Sequence, residues 1–140
     1  MNHVDPSRPN FERFKTQPRD VPMHLLNLVR FRDQAAYADD HPHAALGLTG
    51  EQALGEYFRT IAPFFERMGV KIVWKGKGGL TMTGPDGQYW DLGFVAAFPK
   101  ASGFLELVTD PGYRAEVVVH RSAAVLDSRL VRFDPLEAGL

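Results

Sequence analysis

His120 and Arg121 stand side by side, a pair of residue types that could bind an anion and move a proton. A guanidinium is a planar fork that holds a carboxylate or an enolate through two parallel hydrogen bonds. An imidazole titrates close to neutrality and can carry the proton of an enolisable substrate. Both are candidate catalytic residues, and Asp127, Ser128 and Arg129 follow shortly after them, with Arg129 a further candidate for ligand binding. The competing role is structural: an ion pair from Arg121 to Asp127 or Asp91 that ties a helix to a sheet, since buried charges are usually paired.

Three more polar groups, Asn27, Arg30 and Asp91, interrupt otherwise apolar stretches. Burying any one unpaired costs on the order of a few kcal/mol, so each needs a protein partner, water or ligand. As ligand-binding candidates they would line a cavity between sheet and helices, with Tyr37 and Trp74 flanking it. The plainer alternatives are an arginine partner for Asp91, a backbone partner for Asn27, and a solvent-reaching Arg30.

Other combinations fail on spacing. The run Asp39-Asp40-His41-Pro42-His43 holds oxygen and nitrogen donors, but Pro42 is expected to splay the two histidines and no helical spacing supports them. A solvated turn and no metal site is the expectation. Lys75-Gly76-Lys77-Gly78-Gly79 lacks the spacing and the hydroxyl ending of a phosphate loop. Ser102, Ser122 and Ser128 sit in no nucleophile-elbow context. His24 and His120 bring no haem-ligation motif, so no cofactor is expected.

Composition narrows the classes further. The 140 residues carry a formal charge of -1 with scattered basic side chains, which argues against nucleic acid or an anionic membrane as partner. With no cysteine there is no disulfide, thiolate nucleophile or iron–sulfur ligation. No apolar run reaches the roughly 18 residues of a membrane helix, and Met1-Asn2-His3-Val4-Asp5-Pro6 lacks the features of a secretory signal. The cytoplasm is the expected compartment by elimination.

These residues must be positioned by a small set of elements. Residues 1–22 form an extension with a short helical piece at 10–15 bearing Phe11 and Phe14. Met23 to Phe31 is apolar on both faces, as expected of a doubly covered strand. Thr49 and Gln52 fit a capping box, after which Leu54, Phe58, Ile61, Phe65 and Met68 recur at helical spacing. Pro63 falls inside that helix, and Gly69 should end it. Residues 70–84 and 88–98 read as strands reversing at Pro85-Asp86-Gly87, with Gly76, Gly78 and Gly79 interrupting or bulging the first. Two helical runs separated at Asp110-Pro111 follow, then a strand over 126–133. Residues 32–48 form a connection longer than the usual limit of about 12, suited to a lid or a dimer arm.

The order β-α-β-β-α-β predicts an α+β, ferredoxin-like protomer with a four-stranded antiparallel sheet over residues 23–134, and a tail at 135–140. Helices cover one face only. Large apolar groups of either parity among Trp74, Trp90, Phe94 and Leu130 would then leave the other face greasy, which predicts a two-fold homodimer.

Tyr57, Ala62-Pro63, Gly69, Phe98-Pro99, Phe104, Asp110-Pro111-Gly112-Tyr113 and the run from Arg121 to Arg129, in that order, resemble domain-of-unknown-function family 1330. The likeness covers residues 23–133. It implies a dimeric α/β barrel of the dimeric α+β barrel superfamily and places Arg121 at that family's characteristic arginine. That family has no established activity; its superfamily includes cofactor-free monooxygenases, isomerases and ligand binders. The expected function is therefore a homodimeric small-molecule-binding domain. The alternatives are a cofactor-independent monooxygenase or isomerase and a non-catalytic oligomerisation module.

Overall fold

Thr49 accepts the amide of Gln52 through its hydroxyl, and the side chain of Gln52 accepts the amide of Thr49, so two unpaired amides are satisfied at once. From this cap runs the longest helix, α2 (Gly50–Met68), in a computed structural model that describes residues 2–137. Pro63 lies inside it, and Gly69 closes it in the left-handed region at φ 71°.

The other elements are α1 (Arg8–Lys15), β1 (Met23–Phe31), a 3-10 turn (Pro42–Leu46), β2 (Lys71–Lys77), β3 (Leu92–Phe98), α3 (Ser102–Thr109), α4 (Pro111–Glu116), α5 (Val118–Ala124) and β4 (Val125–Phe133). All strand pairings are antiparallel, in the order β2-β3-β1-β4. This is the expected ferredoxin-like α+β arrangement. Met23, Leu25 and Val29 of β1 and Phe94, Ala96 and Phe98 of β3 face the helices, where Leu54, Tyr57 and Ile61 of α2 complete the core.

Three expectations need correction. The two middle strands are shorter than expected: β2 stops at Lys77 and β3 starts at Leu92, leaving residues 78–91 as a loop. The turn does form within that loop, where Gln88 donates to the Pro85 carbonyl. At the exit Gly78 donates to the Asp91 carbonyl at 2.8 Å and lies so close to the facing backbone that a Cβ there would stand 1.5 Å from the Trp90 carbonyl oxygen. Second, the closing helical region breaks twice, at Asp110 and again at Val117, whose φ of -113° interrupts the run of valines. Third, residues 32–48 are not without structure of their own. They contain the 3-10 turn and are tied down where Ala35 and Ala36 donate to the carbonyls of Leu48 and Ala123. The expected tail at 135–140 lies partly outside the described residues.

The N-terminal extension lies on the helix side of the sheet. Phe14 packs edge-on to Phe104 at 5.3 Å between ring centres, and Arg132 covers its other side. Further upstream, Ser128 donates its amide to the carbonyl of His3 at 2.7 Å, and Asp127 accepts the amide of His3 at 2.8 Å. Burial opposes ionisation of Asp127, but the His3 amide and the Arg129 guanidinium outweigh it and hold the carboxyl below the usual aspartate range. The native state thus takes up this proton less readily than the unfolded chain does. The pairing stabilises the fold above the ordinary value of 3.8 and is lost as pH falls through the lower native one. Asp127→Asn is expected to lower the urea midpoint near neutrality by an amount worth about 1 kcal/mol, the difference from wild type shrinking below about pH 3.5. A gap that stays constant with pH would show that the carboxylate charge is not what holds the arm.

Candidate functional site

The sheet and helices do not meet everywhere. A cavity of about 530 Å3 remains between them, walled by Leu25, Phe94, Phe98, Phe104 and Leu107 and roofed at one side by Asp5, Pro6 and Phe11 of the arm. Asn27, Tyr57, Tyr113 and Arg121 supply its polar lining. Asn27 donates to the Leu25 carbonyl at 3.3 Å, which uses the amide nitrogen within its own strand. Burial pushes the phenols of Tyr57 and Tyr113 far above the ordinary tyrosine range, with the nearby Arg121 opposing the shift, so both remain neutral donors.

Arg121 is held differently from expectation. It reaches neither Asp127 nor Asp91. Its Nη1 donates to the Val4 carbonyl at 2.6 Å and lies 3.7 Å from the Asp5 carboxylate, while Nη2 donates to the Ser128 hydroxyl at 3.3 Å. With a side chain only 11% exposed, it is the bolt that fastens the arm over the cavity. Asp127 pairs instead with Arg129 at 2.8 Å, and Arg129 also lies over Trp90.

His120 is separated from Arg121 in space although adjacent in sequence, because consecutive helical residues point about 100° apart. It is 95% buried on the far side of α5, and its Nδ1 shares a 2.7 Å hydrogen bond with the Tyr37 hydroxyl. His41 stacks on Tyr37, and the rings of His41, His43 and His120 stand 5.1, 5.2 and 5.8 Å apart, centre to centre. Nε2 of His43 is 3.9 Å from Glu56 of α2. The expected splaying of His41 from His43 does not occur: the His41 ring accepts the His43 amide at 3.0 Å, which folds the two side chains to one side. Burial foremost, then the neighbouring His43, keeps His120 below its ordinary range and therefore neutral at physiological pH.

The remaining candidates fall elsewhere. Asp91 takes no arginine; its carboxylate accepts the amide of Phe31 at 2.8 Å, where β1 loses its regular register. Arg30 lies over the Tyr89 ring at 4.2 Å and donates to its hydroxyl. Trp74 is 53% exposed and pairs with Val95 on the sheet face away from the cavity, because β2 carries an extra residue between Ile72 and Trp74. The cavity thus brings together only Asn27 and Arg121 of the predicted set, and a second cluster gathers Tyr37 and His120. Sequence reasoning missed Tyr57, Tyr113 and Glu56 as site residues; the two tyrosines entered it only through the family resemblance.

No family model matches the chain, and no curated protein matches it. Among solved structures, the RPA0582 protein of Rhodopseudomonas palustris, a protein of unknown function, shares 43% identity over 99% of this chain and 100% of its own, with a TM-score of 0.87. This chain belongs to the same family as RPA0582. The methylated form of RPA0582 superposes with a TM-score of 0.88 at 43% identity, covering 99% of this chain and 98% of that one. A Bacteroides fragilis protein of unknown function, described as dimeric and of ferredoxin-like fold, shares 16% identity over 81% of this chain and 95% of its own, with a TM-score of 0.46. This chain and RPA0582 are thus joined by both fold and sequence. No helix among the described residues is long and apolar enough to cross a membrane.

Proposed function

We propose that the protein is a homodimeric binder of a small, largely apolar molecule carrying one anionic group, held between sheet and helices. The observation that carries this reading is the cavity of about 530 Å3, within the range of about 300–1,000 Å3 usual for ligand sites, with a buried arginine at an otherwise apolar wall. Arg121 has donors beyond the two used on Val4 and Ser128. Asp5 already sits against it as a carboxylate of the chain's own, so a ligand carboxylate would take that position and the half-exposed Asp5 would swing away. Phe94, Phe98 and Phe104 suit an alkyl or aryl body.

The dimer in this proposal uses the sheet face that the helices leave bare. Leu26, Val95, Ala97 and Trp74 share that face with Val131 and Phe133, as the pairing of Leu26 with Val95 and Val131 requires. Phe94 and Leu130, expected as possible members, point into the core instead. The charged end of the face carries Arg30, Asp127 and Arg129. We also assign the chain to domain-of-unknown-function family 1330, on the order of motifs given above, and place it in the cytoplasm. A cofactor-independent enzyme is less well supported, because His120 and Arg121 face different sites and cannot act on one substrate together.

Octanoate serves as a probe. It is expected to raise the melting temperature of the wild type, while octanol does so less. Arg121→Gln should weaken octanoate binding about 10–100-fold, the loss of a charge-assisted hydrogen bond, and leave octanol unaffected. Equal protection of wild type and variant, or none in either, would overturn the reading.

A further inference from the structure

We infer that His43 and His120, with His41 beside them, form a binding site for a divalent first-row transition ion of the zinc class, separate from the cavity. The first argument is spacing. An ion held about 2.1 Å from each imidazole nitrogen stands about 3.2 Å from each ring centre, so tetrahedral ligands put ring centres about 5.2 Å apart. The three rings here are separated by 5.1, 5.2 and 5.8 Å.

The second argument is the state of each ring. Nδ1 of His43 is buried and has no hydrogen-bond partner among the described residues. Its other nitrogen lies 3.9 Å from the Glu56 carboxylate, longer than a hydrogen bond but on the side from which a carboxylate would orient a metal-ligating imidazole. Glu56 is itself held in place by a hydrogen bond from Nε of Arg59 at 2.9 Å. His120 repeats the pattern: its Nδ1 meets the Tyr37 hydroxyl, which leaves Nε2 as the ligating atom. His41 is the third donor, and to ligate it must release the His43 amide that its Nδ1 now accepts. Among the described residues no group of three or more His, Cys, Asp or Glu side chains is arranged as a metal site as it stands. Closing the site needs ring turns about the Cβ–Cγ bond, a torsion that is broad and soft.

The location gives the ion a consequence. His41 and His43 belong to the connection at residues 32–48 and His120 to α5, so an ion would staple the inserted segment to the domain. Glu56 adds α2 to the same staple.

The test is Zn2+ titration of the tag-free protein by calorimetry, paired with thermal melting. One Zn2+ per chain and a Zn2+-dependent rise in melting temperature are expected. His43→Gln and His120→Gln should each abolish both, and Tyr37→Phe should weaken binding about 10–100-fold. His3→Gln and His24→Gln, which remove the two remaining histidines, should change nothing. His43 is partly exposed on its 3-10 turn, so His43→Gln keeps the test decisive even if His120→Gln does not fold. No Zn2+ binding by the wild type, or binding undiminished in His43→Gln, would overturn the proposal.

Discussion

Gly50→Ala is expected to destabilise the fold by about 3 kcal/mol or more, with a fall in melting temperature on the order of 10 °C. The first residue of α2 is pressed against two pieces of backbone: a Cβ at Gly50 would stand 2.1 Å from the Arg32 carbonyl oxygen and 2.9 Å from that of Ala124. Neither can retreat cheaply. The Arg32 carbonyl accepts the Gly50 amide at 3.1 Å, and the Ala124 carbonyl accepts the Arg32 amide at 2.8 Å, so one hydrogen-bonded junction joins β1, α2 and α5. A methyl group would pry apart the place where the inserted connection returns to the domain. The same substitution a turn and a half later should have the opposite sign. Gly55→Ala meets nothing within 4 Å and removes a mid-helix glycine, which is expected to stabilise by about 0.5–1 kcal/mol. Thermal melts of the two variants check the pair, and a Gly50→Ala protein that melts with the wild type would refute the junction.

The double variant Val131→Asp, Phe133→Asp is expected to sediment as a monomer at concentrations where the wild type sediments as a dimer. Both side chains are exposed in the protomer, 42% and 51%, so the substitutions should leave its own fold intact. In a two-fold interface each change occurs twice. At about 1 kcal/mol for each of the four lost apolar side chains, association weakens on the order of a thousandfold. Aspartates brought near their symmetry mates add repulsion to the lost contact. Light scattering at micromolar protein, with circular dichroism to confirm folding, reads the result. A wild type that is already monomeric there would remove the dimer from the proposed function, and a variant that stays dimeric would move the interface to another face.

Much of the fold was legible locally. The capping box at Thr49 and Gln52, the left-handed stop at Gly69 and the Asp110-Pro111 start each depend on residues within one turn of each other, and all three stand as read. The boundaries of β1 were legible too, because a mostly apolar stretch of nine residues set between Pro22 and Arg32-Asp33 has few alternatives. The lengths of β2 and β3 were not. The glycines at 76, 78 and 79 marked a disturbance of the first strand, but the close approach of Gly78 to the Trp90 carbonyl involves a residue twelve positions away, so where the strand ends could not be read from local pattern.

The sites divide along the same line. Asn27 announced itself as an amide among apolar neighbours, and Arg121 as a charge on a mostly apolar helix, and both line the cavity. The partner of Arg121 could not be read, since Val4 and Asp5 lie more than a hundred residues upstream and approach only when the arm folds back. Nor could the histidine cluster. Pro42 between two histidines suggests divergence by covalent geometry alone, and it took the ring-to-amide bond from His43 to His41 and the packing of both on Tyr37 to reverse it.

The amino-acid order alone therefore determined the elements, their caps and the antiparallel βαββαβ succession, because those depend on contacts a few residues apart and on periodicity. Tertiary packing decided which neighbours along the chain part company. His120 and Arg121 go to opposite sides of α5, and residues 41 and 43 meet a ring nearly eighty positions away, through a balance of burial and hydrogen bonding that only the assembled layers define.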